Sequence, residues 1–277
     1  MKDSITRIIG IVLLVVSMLA HKYIGVSIAL LVIAGLIMLI SDKKIAKKQL
    51  NIFRRSFKEV RHKRYYVIAL YDILCLGVFF LIAPMFSNWF VAKMNTLTAN
   101  NIFSLLFLLL VYLFAVTLLL IVAYSVFKGL IWLQVMKKKV SARFLKRFFL
   151  LNLCWWLILL IPIFIFVLGA KQEYLFYSVI LFAILYVHFT SIMHYVFTND
   201  LRIGKAIKQA FAITFNNIRQ FLLPYSYIIL VYFIILQIFW IVPKTANIML
   251  FASILFIVFF LAWYRLYLSE ILRRIRT

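Results

Sequence analysis

Apolar runs of up to two dozen residues recur along this chain, and that single feature removes most of the folds a polypeptide can adopt. Eight can be marked, at about 5–20, 24–40, 65–86, 102–127, 151–170, 174–197, 222–242 and 248–268. About 20 apolar residues make a helix long enough to cross roughly 30 Å of hydrocarbon. A backbone in lipid must satisfy its own hydrogen bonds, so such runs fold as helices. Only 14% of the residues are charged, against about a quarter in a soluble domain, and no soluble core of this size could bury eight such runs. The expectation is an all-α integral membrane protein of about eight transmembrane helices arranged as four hairpins. The first two runs are short and are joined by His21, Lys22 and Tyr23, so they span only with flanking residues drawn in or the bilayer thinned.

Charge sets the orientation. On one side Lys and Arg number two at the N-terminal end (Lys2 and Arg7), ten in 41–64, seven in 128–147, four in 202–219 and four in 265–276; only Lys22, Lys93, Lys171 and Lys244 fall on the other side. Basic residues in short loops favour the cytoplasmic side, so both termini are expected in the cytoplasm of a multi-pass cell-membrane protein. Lys2 and Arg7 resemble the start of a secretory signal, but Met18 and Leu19 before Ala20 break the small-x-small cleavage pattern. The first run is therefore read as a retained span. The same sorting accounts for the net charge of +24 without nucleic acid: anionic head groups attract each Lys or Arg near the surface by about 1 kcal/mol.

Three inner segments are amphipathic at helical period. In 201–220, Ile203, Ile207, Ala210, Phe211, Thr214 and Ile218 share one side, opposite Lys205, Lys208, Gln209, Asn216 and Arg219. Thr198, Asn199 or Asp200 is expected to cap this helix. In 138–151, Val140, Phe144, Phe148 and Leu151 oppose Lys139, Arg143, Lys146 and Arg147; in 47–61, Leu50, Phe53, Phe57 and Val60 oppose Lys47, Arg54, Arg55, Lys58 and Arg61, with Ile52 astray. Each suits a basic helix lying in the interface, apolar face down. The candidate contacts to anionic lipid are Arg54, Arg55, Lys58, Arg143, Lys146, Arg147, Lys205, Lys208 and Arg219. The chain then reads as an N-terminal hairpin (1–40) followed by a six-helix membrane domain (41–277) built from three interfacial-helix-plus-hairpin units.

Residues 197–224, FTNDLRIGKAIKQAFAITFNNIRQFLLP, resemble a connector that recurs in prokaryotic, archaeal-type multi-spanning proteins and in the membrane domain attached to some glycerophosphodiester phosphodiesterases. The shared pattern is an acidic or Asn cap, Lys-Ala, Phe, then Asn-x-x-x-Phe-Leu leading into a hairpin. The resemblance implies an architecture and carries over no functional residue.

One acidic residue lies well inside a span. Asp72 is seven residues in from Tyr65, about 10 Å by the helical rise, and carboxylates at such depth are functional candidates. His188 lies at a comparable depth, which predicts an Asp72–His188 contact. Thr190, Ser191 and His194 add polarity lower on the same helix, and Gln237 stands nearer the outer side; Arg265 and Glu270 are expected to form a local surface pair. The catalytic sets that membrane enzymes need are missing: HExxH, GxSxG and a P-loop are all absent, and no second carboxylate joins Asp72 at depth. Cys75 and Cys154 lie in spans without a CxxC partner, as buried thiols. No cofactor or metal is expected. Pro162 is the one mid-span proline, which points to a kink in the fifth helix rather than paired broken helices of the transporter kind.

The leading expectation is a non-enzymatic protein that organises or senses the membrane through its basic cytoplasmic helices, with lipids, and a protein or a second copy of the chain, as its partners. The alternative is a small-solute or proton-coupled transporter using Asp72 and His188; third comes an intramembrane lipid-modifying enzyme.

Overall fold

The computed structural model describes residues 43–94, 102–169, 172–217, 221 and 246–276. The expected first hairpin, the span at 222–242, Gln237 and Arg219 lie outside them. Among the described residues the regular structure is entirely helical. There are seven helices: α1 (Lys43–Glu59), α2 (Lys63–Met94), α3 (Ile102–Val135), α4 (Ala142–Gly169), α5 (Gln172–Asp200), α6 (Ile203–Asn216) and α7 (Ala246–Arg276).

Three of these are long and apolar enough to cross a membrane, through Lys63–Lys93, Phe103–Val135 and Phe251–Ile275. The middle one shows why the sequence gives such helices. It has a mean hydropathy of 3.1 and only 6% of its most apolar window is buried in the protein. Phe103, Phe107, Leu110 and Phe114 all point outward. A continuous apolar surface of that length is far larger than the patches a water-exposed protein tolerates.

The chain divides into two compact units, Met1–Tyr65 with Phe211–Thr277, and Tyr66–Ala210. In the first, α1 packs on α7. Ile52 and Ser56 are buried on α1, whereas Leu50 and the outer side of Phe57 stay exposed. The expected face does dock, through Phe53 and Phe57, and the stray residue Ile52 is buried as well. The Trp263 indole nitrogen donates to Ser56 Oγ at 3.0 Å, and Ser56 donates in turn to the Phe53 carbonyl at 2.7 Å. The Phe53 and Phe57 rings flank Trp263 at 5.3 and 5.2 Å, and Trp263 stacks on Tyr267 at 5.5 Å. Tyr65 adds a hydrogen bond from its hydroxyl to the Phe259 carbonyl. Arg265, expected at the surface with Glu270, is buried, and Glu270 pairs with Arg274 one turn on. The 3.6-residue period favours that i,i+4 partner.

In the second unit α3 packs along α4 and touches α5. Gly129 permits the approach: a Cβ there would meet Leu145 Cδ2 at 3.0 Å. Segment 138–151 is not a separate interfacial helix. Its helical part begins at Ala142, where Ser141 Oγ accepts from the Phe144 N–H as an N-cap. It then runs without interruption, past Pro162, to Gly169. Phe144, Phe148 and Leu151 do share a face as expected, but that face is buried in protein; Phe144 and Phe148 lie against Phe197 at 5.9 and 5.8 Å.

The α3 and α5 ends are capped without glycine. Lys137 has φ of 54°, with Lys138 N–H bonding Leu133 O and Lys137 N–H bonding Gln134 O, the paired bonds of a Schellman cap. Leu201 has φ of 54° and its N–H bonds Phe197 O. The helix break therefore falls at 201–202, and Thr198 and Asn199 do not cap α6. They belong to the last turn of α5, where their side chains donate back to the carbonyls of His194 and Tyr195. The α6 stripe that is buried is Ala206, Ala210 and Thr214, while Phe211 and Phe215 stay exposed, stacked at 6.5 Å.

Candidate functional site

The polar side chains picked out along the chain converge on the second unit, and the partners that organise them are ones the sequence reading passed over. Asp72 on α2 is buried at 3% exposure and is held by Lys128, which donates to its Oδ1 from α3. Lys128 is itself only 14% exposed. Its ammonium lies 5.6 Å from the centre of the Tyr124 ring, one turn back on α3. Lys128 falls just past the apolar run 102–127, where a loop is expected; it is a helix residue in an ion pair.

Tyr124 begins a second set of contacts. The Tyr186 hydroxyl on α5 is hydrogen-bonded to the side chains of Tyr124 and Thr190, and the Trp155 indole N–H of α4 donates to Thr190 Oγ1 at 2.8 Å. Three helices are thereby tied at one level by groups that are costly to leave unpaired when buried.

His194, a predicted site residue, belongs to a third set centred on Asn152. Ser125 donates its only proton to the Ile121 carbonyl at 2.6 Å. It can therefore only accept from Asn152, whose Nδ2 lies 3.1 Å away and also donates to the Phe148 carbonyl at 3.0 Å. Asn152 Oδ1 is left as the acceptor facing His194 Nε2 at 2.7 Å. The proton of this bond must come from the imidazole, which fixes the Nε2–H tautomer. The ring is further enclosed by Phe148 at 4.5 Å and Trp132 at 6.4 Å. His188 and Ser191 are buried on the same helix.

Between these sets lies a cavity of about 270 Å³, with Phe79, Leu120 and Ile121 on its apolar wall and Tyr124, Asn152 and Tyr186 contributing polar groups. Among the described residues no three His, Cys, Asp or Glu side chains come together as a metal site would need.

The candidate lipid contacts sort into two kinds. Arg54, Arg55, Lys58, Arg143, Lys146, Lys205 and Lys208 are exposed. Arg147 is half-buried and donates to the Leu201 carbonyl at 3.4 Å. Together with Lys138, which reaches the Thr198 carbonyl at 2.6 Å, it meets the negative end of the α5 dipole. Lys205 also pairs with Asp200 at 2.7 Å.

Asn152, Ser125, Tyr124 and Lys128 carried a signal that could have been read: each is a polar residue at helical spacing inside or just beyond an apolar run, in the strings AYSVFK and LNLCWW. No protein-family model matches this sequence, and no curated protein or solved structure matches it either.

Proposed function

We propose that this chain is a non-enzymatic, multi-pass protein of the cell membrane that organises anionic lipid along a basic cytoplasmic face. The reading places eight spans as four hairpins, with both termini inside, and the resemblance of 197–224 to the connector of prokaryotic multi-spanning proteins belongs to it as architecture alone. The observation that carries it is the split among the cations. Seven of the nominated lipid contacts keep their charged ends exposed on segments flanking the apolar helices. The apolar face at the start of α4 is occupied by protein packing, so that segment meets head groups by charge, whereas α1 keeps Leu50 and Phe57 exposed beside its cations. Exposed rings beside a cation remain on α6, Phe211 and Phe215 next to Lys208, and on α1, Phe57 next to Lys58. Proton-coupled transport through Asp72 and His188 would have to displace Lys128 from Asp72 in every cycle.

The test is retention of lipid by the full chain in nanodiscs of phosphatidylglycerol or phosphatidylcholine, counted by native mass spectrometry. Replacing Arg54, Arg55 and Lys58 with Gln removes three cations at about 1 kcal/mol each, an expected loss of about 100-fold in phosphatidylglycerol affinity. Equal retention of the two lipids, or an unchanged triple variant, would overturn the proposal.

A further inference from the structure

We infer that the cavity between α2, α3, α4 and α5 is a binding site for an uncharged amphiphile that donates a hydrogen bond, such as a membrane-resident long-chain alcohol or other hydroxyl-bearing lipid. The inference rests on reading α2 and α3 as membrane spans but not on the basic face.

Three features define the occupant. The first is hydrogen-bond capacity. Asn152 spends both amide hydrogens on Ser125 and Phe148, and its Oδ1 accepts one bond from His194. A carbonyl oxygen has two lone pairs, so the side chain that lines the cavity has an acceptor position remaining and no proton to give. A ligand meeting it must bring an O–H or N–H. An ether or an ester lacks that proton and could only accept, from the Thr117, Tyr124 or Tyr186 hydroxyls of the same lining.

The second is charge. The ions closest to the Tyr124 end of the cavity, Asp72 and Lys128, are already paired with each other. A charged head group would enter a mostly apolar space, open on one side, whose neighbouring ions are already paired, which is unfavourable. That separates this site from the anionic head groups drawn to the surface cations.

The third is shape. Trp155 and Trp156 join the lining. A volume of about 270 Å³ falls just below the range of about 300–1,000 Å³ usual for small-molecule sites. It admits a polar head and the first carbons of one chain, with the remainder left to the surrounding lipid.

The experiment uses the full chain in phosphatidylcholine vesicles and a diazirine-bearing dodecan-1-ol as photoprobe, with adducts mapped by mass spectrometry. Adducts are expected on Trp155, Trp156 and Tyr186. They should be competed by dodecan-1-ol and about tenfold more weakly by 1-methoxydodecane, which has the same chain and an acceptor but no donor. Dodecane and dodecanoate should not compete. Leu120→Trp fills the cavity and should abolish the adducts; Thr117→Leu, a smaller filling change, serves if the first variant loses helicity. Labelling that no competitor reduces, or that both filled variants retain, would show simple partitioning and overturn the site. Equal competition by the ether would overturn the donor requirement. Vesicle flotation is read on the same sample: a chain that floats without competed adducts refutes the site alone, while one that does not float refutes the membrane reading with it.

Discussion

Asp72→Asn should destabilise the second unit, and the structure gives the size and the control. The substitution leaves the Lys128 ammonium, 14% exposed, facing an amide. Removing one partner of a buried pair costs about 3–5 kcal/mol, because the remaining charge is stranded. Lys128 lies seven residues before the end of α3, about 10 Å by the helical rise, and its flexible stem can draw the charge toward the interface. The loss for Asp72→Asn should therefore be near the lower end, about 3 kcal/mol. Lys128→Met is the harsher change: Asp72 at 3% exposure has a short side chain and no such escape, so about 5 kcal/mol is expected. The double variant Asp72→Asn/Lys128→Met removes both charges and should fall within about 1 kcal/mol of the parent. The assay is reversible unfolding of the purified chain in mixed micelles, followed by circular dichroism and analysed as a double-mutant cycle. Strict additivity, with the double variant as unstable as the two single losses combined, would refute the view that the pair acts as one neutral unit. So would an Asp72→Asn variant of parental stability.

Two further outcomes follow from the same helices. Asn152→Leu strands the His194 Nε2–H and removes a bond across three helices, so the same assay should lose about 1–3 kcal/mol for the stranded donor; Asn152→Gln does not rescue it if register matters, and full rescue would show that the bond tolerates displacement. Leu201→Gly places the one residue without a steric penalty at φ of 54° and should gain about 1 kcal/mol, whereas a loss would show that the Leu201 side chain contributes more packing than the strained backbone costs.

How far the sequence could be read depends on which question is asked of it. Apolar run length located α2, α3 and α7, because nothing but a helix satisfies a backbone through 20 such residues. Periodicity correctly grouped Phe144, Phe148 and Leu151 on one face of α4. It could not say what covers that face, since lipid and the Phe197 ring are equally apolar. On α1 the wheel grouped Phe53 and Phe57, which do meet Trp263 of α7, but it left out Ile52 and Ser56, which are more deeply buried. The fourth expected span, 102–127, stops at the first charge after it, which puts Lys128 in a loop and hides the partner of Asp72. Hydrogen-bond partners such as Ser125 and Asn152 depend on which helices touch, and no single-chain pattern supplies that.

The central claim, that the apolar helices cross the membrane with the basic segments on the inner side, is tested most directly by the sidedness of three lysines that alternate with α2 and α3. Lys47→Cys, Lys93→Cys and Lys139→Cys, each in a Cys75→Ala/Cys154→Ala background, are probed in sealed right-side-out vesicles with a membrane-impermeant maleimide. Immediate labelling is predicted at position 93 alone, with positions 47 and 139 labelled only after permeabilisation. Labelling of 93 and 139 from the same side would mean that α3 does not cross, and would contradict the account.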